Sequence, residues 1–362
     1  MLVRTSLMAL ALFSAVLAPL HAHADPLYTI NFLPDNFYAT GINNAGQISG
    51  AVTLDGGSVH AAIYAAGLVS DLGSFGGTSS AATAINAGGT VIGNFVTASG
   101  DTRSFVYGNG SMQELAGLYA NGINGGGDIV GRKIGGGAAL YSQGVLTELG
   151  YLGTGDISFA TAINDAGHVV GASTIDLDFH SRQHPFLYSD GVLHDLGTLD
   201  ERQFNSAVAI NSTGQIAGYS EGTNGGMHAF FYEHGVMTDL GSFGGLNLTV
   251  GGMNEHGEIV GTGEPWEGEN VPFISRGGAL VDLNTLVDPA LGWTIIAANS
   301  INDYGQILAT ACRDTVCNAV RLDLASAVPE PEAAWLLLTG LLTLAARRKT
   351  KPVPEKCQEL LN

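Results

Sequence analysis

A nine-residue pattern that occurs seven times constrains this chain more than any other feature. Each copy opens with Ile or Met followed by Asn, has Gly at its fifth position, and continues with aliphatic residues. The copies are INNAGQISG from residue 42, INAGGTVIG from 85, INGGGDIVG from 123, INDAGHVVG from 163, INSTGQIAG from 210, MNEHGEIVG from 253 and INDYGQILA from 301. Successive copies lie 43, 38, 40, 47, 43 and 48 residues apart. A period near 40 with β-type residues is typical of propeller blades and longer than solenoid coils.

Each copy predicts a tight turn between two strands. In Asn164-Asp165-Ala166-Gly167, the Asn can accept a hydrogen bond from the backbone two residues on, and the Gly tolerates positive φ. Apolar residues such as Val169 and Val170 then resume a strand. The pattern therefore predicts a hairpin.

A second hairpin follows each of six copies. Its sequences are AAIYAAGLVSDLG, SFVYGNGSMQELA, AALYSQGVLTELG, PFLYSDGVLHDLG, AFFYEHGVMTDLG and the degenerate PFISRGGALVDLN. Two hairpins per repeat make four antiparallel strands, which is one blade. We therefore expect an all-β fold, a seven-bladed β-propeller of four-stranded antiparallel blades over residues 25–327.

The seventh repeat supplies only three strands before the chain changes character. A propeller must join its first and last blades to cover their edges. The segment Leu27 to Leu33, LYTINFL, precedes the first repeat, where the fourth strand of a preceding blade would stand. We expect this N-terminal strand to complete the last blade and close the ring.

The repeats resemble those of the HAF family of extracellular repeat proteins. The family tripeptide appears as His228-Ala229-Phe230 and, altered, as His184-Pro185-Phe186. The resemblance implies an exported repeat domain and little about activity, because the family is defined by its repeat.

Charge excludes two classes of partner. Between Asp25 and Pro329 there are 29 Asp and Glu residues against 8 Lys and Arg, and Lys133 is the only lysine. Binding to a nucleic-acid backbone needs clustered basic residues, so we expect no nucleic-acid partner. An anionic membrane surface is disfavoured for the same reason. A neutral or polybasic partner, a divalent cation, or solubility outside the cell is compatible with this charge.

The three cysteines fit an exported protein. Cys357 lies in the C-terminal tail, whereas Cys312 and Cys317 form a close pair in ACRDTVCNA. A disulfide across a hairpin is the favoured interpretation, and two buried thiols are the alternative.

The N-terminus predicts a secretory signal peptide over residues 1–24. Arg4 precedes an apolar run from Leu7 to Leu20, and Ala22-His23-Ala24 is a small-x-small cleavage site. A retained membrane anchor is disfavoured because the apolar run is short.

The C-terminus, VPEPEAAWLLLTGLLTLAARRK, resembles the PEP-CTERM sorting signal. Pro329, Glu330 and Pro331 are followed by an apolar segment, Ala333 to Ala346, and then by the basic cluster Arg347, Arg348 and Lys349. Fourteen residues span about 21 Å as a helix, so this short transmembrane helix needs snorkelling side chains or local thinning of the bilayer. The basic residues favour a cytoplasmic end.

The resemblance to PEP-CTERM signals implies processing by an exosortase. The sorting signal would cover residues 328–350, engage the inner membrane transiently, and leave residues 351–362 as a cytoplasmic tail. Chains with this signal usually end soon after the basic cluster, whereas this one continues to Asn362. The expected location is the cell envelope, the cell surface or the extracellular space after processing.

Residues that break the repeat are the candidates for chemistry. Asp176, Asp178, His180 and His184 cluster in an insertion of the fourth repeat, and such side chains can hold a divalent metal. The favoured interpretation is structural, because His184 stands where other repeats have His60 and His228. We therefore predict no metal site.

The loop GTGEPWEGENVPF is the candidate ligand site. Trp266 stands among Glu264, Glu267 and Glu269. An exposed Trp beside carboxylates can stack on and hold a sugar ring, and paired carboxylates serve glycoside hydrolysis. The alternative is a loop kept soluble by its charge.

No nucleotide-binding, metalloprotease, EF-hand or serine-hydrolase motif occurs in the sequence. We therefore predict no cofactor and name no catalytic residue. The favoured function is a binding or structural role at the surface or in the extracellular matrix, with an exopolysaccharide or a surface protein as partner. The alternative is a polysaccharide lyase or glycosidase on a propeller scaffold.

Overall fold

The computed structural model describes residues 27–177 and 182–325. The chain divides into two units after Asp323, and the described strands lie in the first unit except for their final residue, Leu324. The predicted signal peptide, sorting signal and cytoplasmic tail lie outside the described residues.

Seven four-stranded antiparallel sheets make up the fold, which confirms the predicted seven-bladed β-propeller. Blade 1 is β2 Phe37–Ile42, β3 Ile48–Thr53, β4 Val59–Ala65 and β5 Leu68–Gly73; blade 2 is β6 Ser79–Ile85, β7 Val91–Val96, β8 Thr102–Gly108 and β9 Ser111–Leu115. Blade 3 is β10 Leu118–Ile123, β11 Ile129–Lys133, β12 Ala138–Ser142 and β13 Val145–Gly150; blade 4 is β14 Ser158–Ile163, β15 Val169–Thr174, β16 Gln183–Ser189 and β17 Val192–Asp195. Blade 5 is β18 Asn205–Ile210, β19 Ile216–Glu221, β20 Met227–Glu233 and β21 Val236–Gly241; blade 6 is β22 Leu248–Met253, β23 Ile259–Gly263, β24 Val271–Arg276 and β25 Ala279–Asp282. Blade 7 is β26 Thr294–Ile301, β27 Ile307–Arg313, β28 Val316–Leu324 and the N-terminal strand β1 Tyr28–Phe32. Two short 3-10 helices, Leu283–Leu286 and Pro289–Leu291, connect blades 6 and 7.

The first strand of each blade lies at the centre of the ring. These strands contact one another in the closed order β2, β6, β10, β14, β18, β22, β26 and back to β2. The turns of the repeated pattern, which join the first and second strands, therefore surround the axis on one face. We call this the turn face. The opposite face carries the connections between second and third strands and between blades, and we call it the loop face.

The hydrophobic core lies between neighbouring blades. Val170 of blade 4, for example, packs with Ala207, Ile216 and Phe230 of blade 5 in one buried cluster. Each of these side chains is fully buried, and burying a residue such as Phe or Ile contributes about 1.5–3 kcal/mol. Because every such cluster needs side chains from two blades, a single repeat cannot bury its apolar surface alone.

The repeated asparagine fixes its turn, as the sequence predicts, and also contacts the next blade in most of the repeats. Asn164 Oδ1 accepts hydrogen bonds from the N–H groups of Ala166 (3.1 Å) and His168 (3.0 Å), which fixes the turn. Its Nδ2 then donates 3.0 Å to the backbone oxygen of Asn211, the equivalent residue of the next blade. The side chain therefore ties its own turn and binds the neighbouring blade at the same time.

This arrangement recurs around the ring, and we call the seven residues the asparagine belt. Its members, all at most 7% exposed, are Asn43, Asn86, Asn124, Asn164, Asn211, Asn254 and Asn302. Side-chain donations to the next belt residue run from Asn43 to Asn86, Asn86 to Asn124, Asn124 to Asn164, Asn164 to Asn211, Asn254 to Asn302 and Asn302 to Asn43. The last of these joins blade 7 to blade 1, whereas Asn211 donates 2.6 Å to the Gln215 Oε1 of its own turn.

The final glycine of the pattern is required by a β-bulge. In blade 4 the first strand bulges at Thr161, and the Thr161 Oγ1 donates 3.0 Å to the carbonyl oxygen of Val170. A Cβ on Gly171 would lie 2.0 Å from the carbonyl oxygen of Phe159, so no side chain fits there. Blade 7 has Ala309 at this position, and its first strand carries a further register shift between Ile295 and Ala297.

The N-terminal strand closes the ring as predicted. β1 hydrogen-bonds to β28, with the Leu33 N–H donating 3.0 Å to the Ala319 oxygen. Tyr28 and Leu33 are 1% and 4% exposed. Tyr28 also forms an isolated bridge with Val287, which precedes blade 7. The strand therefore covers the outer edge of blade 7.

Replacement of Asn164 by Asp separates the two roles of the belt. The Asn164→Asp variant keeps the oxygen that accepts from the turn but loses the donor to blade 5, and its second oxygen faces a carbonyl. We expect a loss of about 1–3 kcal/mol in the free energy of unfolding at pH 7, measured by urea denaturation. The loss should shrink as the pH falls, because the buried carboxyl has a raised pKa and can donate once protonated.

The exposed turn residue Asn109 provides the matched control for this experiment. Asn109→Asp makes the same chemical change without a buried partner, so its stability should equal that of the unchanged chain. Equal stability of the Asn164→Asp variant as well would contradict the role of the belt.

Deletion of residues 27–33 tests the closure of the ring. It removes the buried Tyr28 and Leu33 and exposes the edge of β28. We expect the melting temperature measured by calorimetry to fall by about 6 °C or more, since two buried side chains contribute at least ~3 kcal/mol. A chain carrying only Tyr28→Ser and Leu33→Ser should lose most of the same stability. An unchanged melting temperature would show that β1 is dispensable.

Candidate functional site

The loop that contains the candidate ligand residues joins β23 to β24 on the loop face of blade 6. Its first residue is fixed by two backbone hydrogen bonds to the preceding connection. The Glu264 N–H donates 2.9 Å to the Asn247 oxygen, and the Glu264 oxygen accepts 2.9 Å from the Gly245 N–H. The loop therefore starts from a rigid base, although it consists mainly of exposed residues.

Trp266 is 69% exposed, the largest exposed fraction of any aromatic residue in the described part of the chain. Its indole lies over Gly244, where an added Cβ would be 3.4 Å from the Trp266 Cδ1. Gly244 also has a positive φ of 98°, so no other residue suits that position. The small residue gives the indole an underlying surface and leaves most of the ring open to solvent.

A polar cleft of about 250 Å³ adjoins the base of this loop. It is lined by Asn247, Leu248, Thr249, Thr262, Gly263, Glu264 and Asn270. The Asn247 side chain donates a hydrogen bond to the Glu264 carboxylate. Glu267 and Glu269 are exposed beyond the cleft. An exposed ring next to hydroxyl, amide and carboxylate groups is an arrangement that can stack on a sugar ring and bind its hydroxyls.

Carboxylates near the axis lie on the other face. Asp303 and Glu255 follow their belt asparagines on the turn face, and Asp303 Oδ1 accepts 2.8 Å from the Glu255 N–H. Glu255 Oε2 accepts 3.0 Å from the Ser212 N–H, and Asp165 Oδ1 accepts 2.7 Å from the Gly125 N–H. These carboxylates hydrogen-bond neighbouring turns, at the opposite end of the blades from Trp266. The structure therefore does not bring these turn-face carboxylates close to Trp266.

The repeated histidine and the aspartate of the Asp-Leu-Gly sequence meet across neighbouring strands. The Nδ1 atoms of His60, His184 and His228 lie 2.9–3.0 Å from carboxylate oxygens of their partners, which are Asp71, Asp195 and Asp239. Each aspartate also accepts a hydrogen bond from the N–H of the glycine two residues later. These repeated residues therefore form a structural link between the third and fourth strands.

The candidate metal cluster of blade 4 is divided by these contacts. His184 Nδ1 contacts Asp195, and Asp176 Oδ2 accepts 3.1 Å from Arg182 Nη2. Asp178 and His180 lie outside the described residues. Over residues 27–177 and 182–325, no group of three or more His, Cys, Asp or Glu side chains could hold a metal.

One carboxyl of these pairs has a shifted pKa. Burial tends to raise the pKa of the Asp195 carboxyl, but hydrogen bonds from His184 and from the Gly197 N–H outweigh burial, so the pKa is lowered from its usual value. Asp195 is therefore an ionised hydrogen-bond acceptor at neutral pH and not a proton donor.

The remaining sequence candidates concern export and cross-linking. Cys312 and Cys317 form a disulfide between β27 and β28, with their Cα atoms 4.1 Å apart. Pro329, Glu330, Pro331, Arg347 and Arg348 of the sorting motif lie outside the described residues. Within the part of the chain that is described, no helix is long and apolar enough to cross a membrane.

Sequence reasoning missed a second cleft, on the turn face between blades 5 and 6. It has a volume of about 380 Å³ and is lined by Phe231, Thr238, Leu240, His256, Gly257, Glu258, Ser275, Arg276, Gly277 and Gly278. The signal that could have found it is the degenerate hairpin sequence PFISRGGALVDLN, in which Ser275 replaces the tyrosine of the other five copies.

No protein-family model and no curated protein sequence significantly matches the chain. Among solved structures, a puromycin-hydrolysing peptidase from Mycobacterium tuberculosis is 13% identical with a TM-score of 0.48, over 83% of this chain and 52% of that protein. TolB from Acinetobacter baumannii is 10% identical with a TM-score of 0.37, over 80% of this chain and 65% of that protein. A gluconolactonase from Xanthomonas campestris is 12% identical with a TM-score of 0.42, over 84% of this chain and 93% of that protein. The chain thus spans about half of the peptidase and just under two thirds of TolB, and these similarities assign no ligand or activity to it.

Proposed function

We propose that this protein is an exported propeller of the cell surface or extracellular matrix, and that it binds an exopolysaccharide through the loop face of blade 6. The observation that carries the proposal is the exposed indole of Trp266 beside the polar cleft at Asn247 and Glu264. A large exposed aromatic ring on a solvent-facing loop has no packing role of its own, and sugar rings present the C–H faces that stack on such a ring.

The chemistry around Trp266 supports a carbohydrate over other polymers. The cleft offers the hydroxyls of Thr249 and Thr262, the amides of Asn247 and Asn270, and the Glu264 carboxylate. These groups both donate and accept hydrogen bonds, as sugar hydroxyls do. The excess of acidic residues in the propeller disfavours polyanions such as nucleic acids.

The terminal segments support an exported location. A signal peptide over residues 1–24 would direct the chain out of the cytoplasm. The PEP-CTERM resemblance of residues 328–350 would make it an exosortase substrate that is held briefly in the inner membrane and then released to the surface. An exopolysaccharide lies outside the cell by definition, so the proposed ligand and the proposed location are compatible.

A binding function is favoured over catalysis by the positions of the acidic residues. Asp165, Glu255 and Asp303 on the turn face accept hydrogen bonds from backbone N–H groups, whereas Trp266 lies on the loop face. Glycoside hydrolysis needs two carboxyl groups flanking one bond of a bound sugar chain. In the Trp266 loop the Glu264 carboxylate accepts a hydrogen bond from Asn247, and Glu267 and Glu269 are exposed beyond the cleft, so the loop fits a surface that holds a chain better than one that cleaves it.

Replacement of Trp266 by Ala tests the proposal. The full-length protein and the Trp266→Ala variant would be applied to a glycan array, with and without calcium, and any glycan bound would be incubated in a reducing-sugar assay. We expect Trp266→Ala to weaken binding at least about tenfold, since loss of a stacking ring costs about 1.4 kcal/mol or more. No reducing ends should appear.

Tyr304 supplies the matched control. It is 68% exposed but lies in a turn of the turn face, so Tyr304→Ala removes a similar exposed ring from the opposite side. Binding by this variant should equal that of the unchanged protein. Equal losses in both variants, no glycan binding at all, or turnover of the bound glycan would each refute the proposed function.

A further inference from the structure

A tyrosine of the third strand fills the space between blades at five of the seven positions. The residues are Tyr64, Tyr107, Tyr141, Tyr188 and Tyr232, and each packs in a cluster that includes side chains of the preceding blade. In blade 7 the buried Leu322 occupies the equivalent place, packed against Val260 and Ile274 of blade 6. A large side chain thus seals these six junctions.

Blade 6 departs from this rule, because it has Ser275 where the tyrosine would stand. The cleft of about 380 Å³ opens at this junction, between Phe231, Thr238 and Leu240 of blade 5 and Ser275 of blade 6. The missing ring therefore explains why this junction is open. The partly buried Phe231 and Leu240 give the cleft an apolar wall that a tyrosine would otherwise cover.

The polar side of the cleft is the Arg276–Glu258 ion pair, and each of the two side chains has a further hydrogen bond that fixes its position. Arg276 Nε lies 3.6 Å from Glu258 Oε1. Arg276 Nη2 donates 3.0 Å to the hydroxyl of the buried Tyr28, and Glu258 Oε2 accepts 2.8 Å from Nδ2 of the belt residue Asn254. The side chains of Arg276 and Glu258 are 32% and 29% exposed, so both remain accessible. Their positions are fixed by the ring closure and by the belt.

We propose that this cleft binds one neutral sugar unit, such as a terminal pyranose of a glycan. A sugar hydroxyl can donate to Glu258 while its neighbour accepts from Arg276, which has five N–H donors. The opposite charges of the pair cancel, so the cleft favours neither an anion nor a cation. The ring of Phe231 offers an apolar wall for the C–H face of the sugar, and Thr238 and His256 add polar groups at the rim.

An aromatic side chain of a partner protein is the competing occupant. It would replace the missing tyrosine but would cover the ion pair with one hydroxyl at most, leaving donors and acceptors without partners. The number of polar groups in the cleft therefore favours a ligand with several hydroxyls.

This second site rests on the proposed function in one respect only, which is that the ligand is a carbohydrate. The cleft opens on the turn face at the turns of residues 254–257 and 275–278, whereas Trp266 lies on the loop face. Loss of binding at one site therefore leaves the other intact, and the two proposals can fail separately.

The test restores the tyrosine. Ser275→Tyr fills the cleft with the residue that five other blades carry, so the variant should fold with a melting temperature equal to or above that of the unchanged protein. The probes are neutral monosaccharides (glucose, galactose, mannose and fucose), with glucuronate and N-acetylglucosamine as comparators, measured on the full chain by saturation-transfer NMR. We expect at least one neutral sugar to bind, Ser275→Tyr to weaken it at least tenfold, and Trp266→Ala to leave it unchanged.

A second variant tests the ion pair without altering the fold. Glu258→Gln places in blade 6 the residue found at the same position in three other blades, as Gln47, Gln215 and Gln306, where the glutamine oxygen accepts the hydrogen bond of the belt asparagine. We expect several-fold weaker binding of the neutral sugar and a relative gain for glucuronate, because Arg276 loses its counter-charge.

Three results would contradict the proposal that this cleft binds a neutral sugar, and each concerns this cleft alone. Equal sugar binding by the Ser275→Tyr variant would place the sugar elsewhere, and binding of glucuronate alone by the unchanged protein would refute the neutral ligand. If no neutral sugar bound at concentrations of tens of millimolar, the proposal would be wrong and a protein side chain would be the favoured occupant of the cleft. None of these results bears on the Trp266 loop, whose own variant is measured in parallel.

Discussion

The hydrogen bonds that six of the seven belt asparagines donate to the next blade are the contacts on which the ring depends. A turn residue normally satisfies only its own loop, but here one side chain accepts two N–H groups of its turn and donates to a carbonyl of the neighbouring blade. The belt residues are buried, so an unpaired amide in the belt would cost about 1–3 kcal/mol. Asp could supply the turn acceptor but not the donor, and Ser would be too short to do both. Asparagine alone therefore fits the six positions that donate to the next blade, while the two residues after the asparagine vary from copy to copy.

Much of this architecture could be predicted because its cause is local. The spacing of the repeats gave the number of blades, the Asn and Gly of each copy gave the turn, and the unpaired strand at Leu27–Leu33 gave the closure. The second role of the asparagine could not be predicted, because its partner lies 38 to 48 residues away along the chain, or 259 at the closing contact. Local propensity identifies the acceptor in a turn, whereas the donor acquires its partner only when the ring has formed.

The two clefts show in the same way which features of the candidate sites could be predicted from the sequence and which could not. Trp266 could be identified from the sequence as a candidate ligand residue, because an aromatic residue among glutamates does not fit a strand pattern. Ser275 was visible in the sequence as a departure from the tyrosine of other repeats, but its meaning depends on what the tyrosine does. Only the structure shows that these rings pack against the preceding blade, and hence that a serine there opens a junction. The blade 4 cluster illustrates the converse, since His184 is engaged by Asp195 as part of the repeat.

Both clefts lie at blade 6, and the closure of the ring offers a physical reason why this blade can vary. Arg276 follows Ser275 and donates to Tyr28 of the strand that completes blade 7. Its guanidinium also lies 5.7 Å from the centre of the Tyr28 ring, within the range of a cation–π contact. Blade 6 therefore has contacts to Tyr28 of β1 in addition to its packing against the neighbouring blades. These contacts offset part of the packing that is lost with the tyrosine ring. Blade 6 is therefore held on its blade 7 side by contacts with Tyr28, while its junction with blade 5 is open.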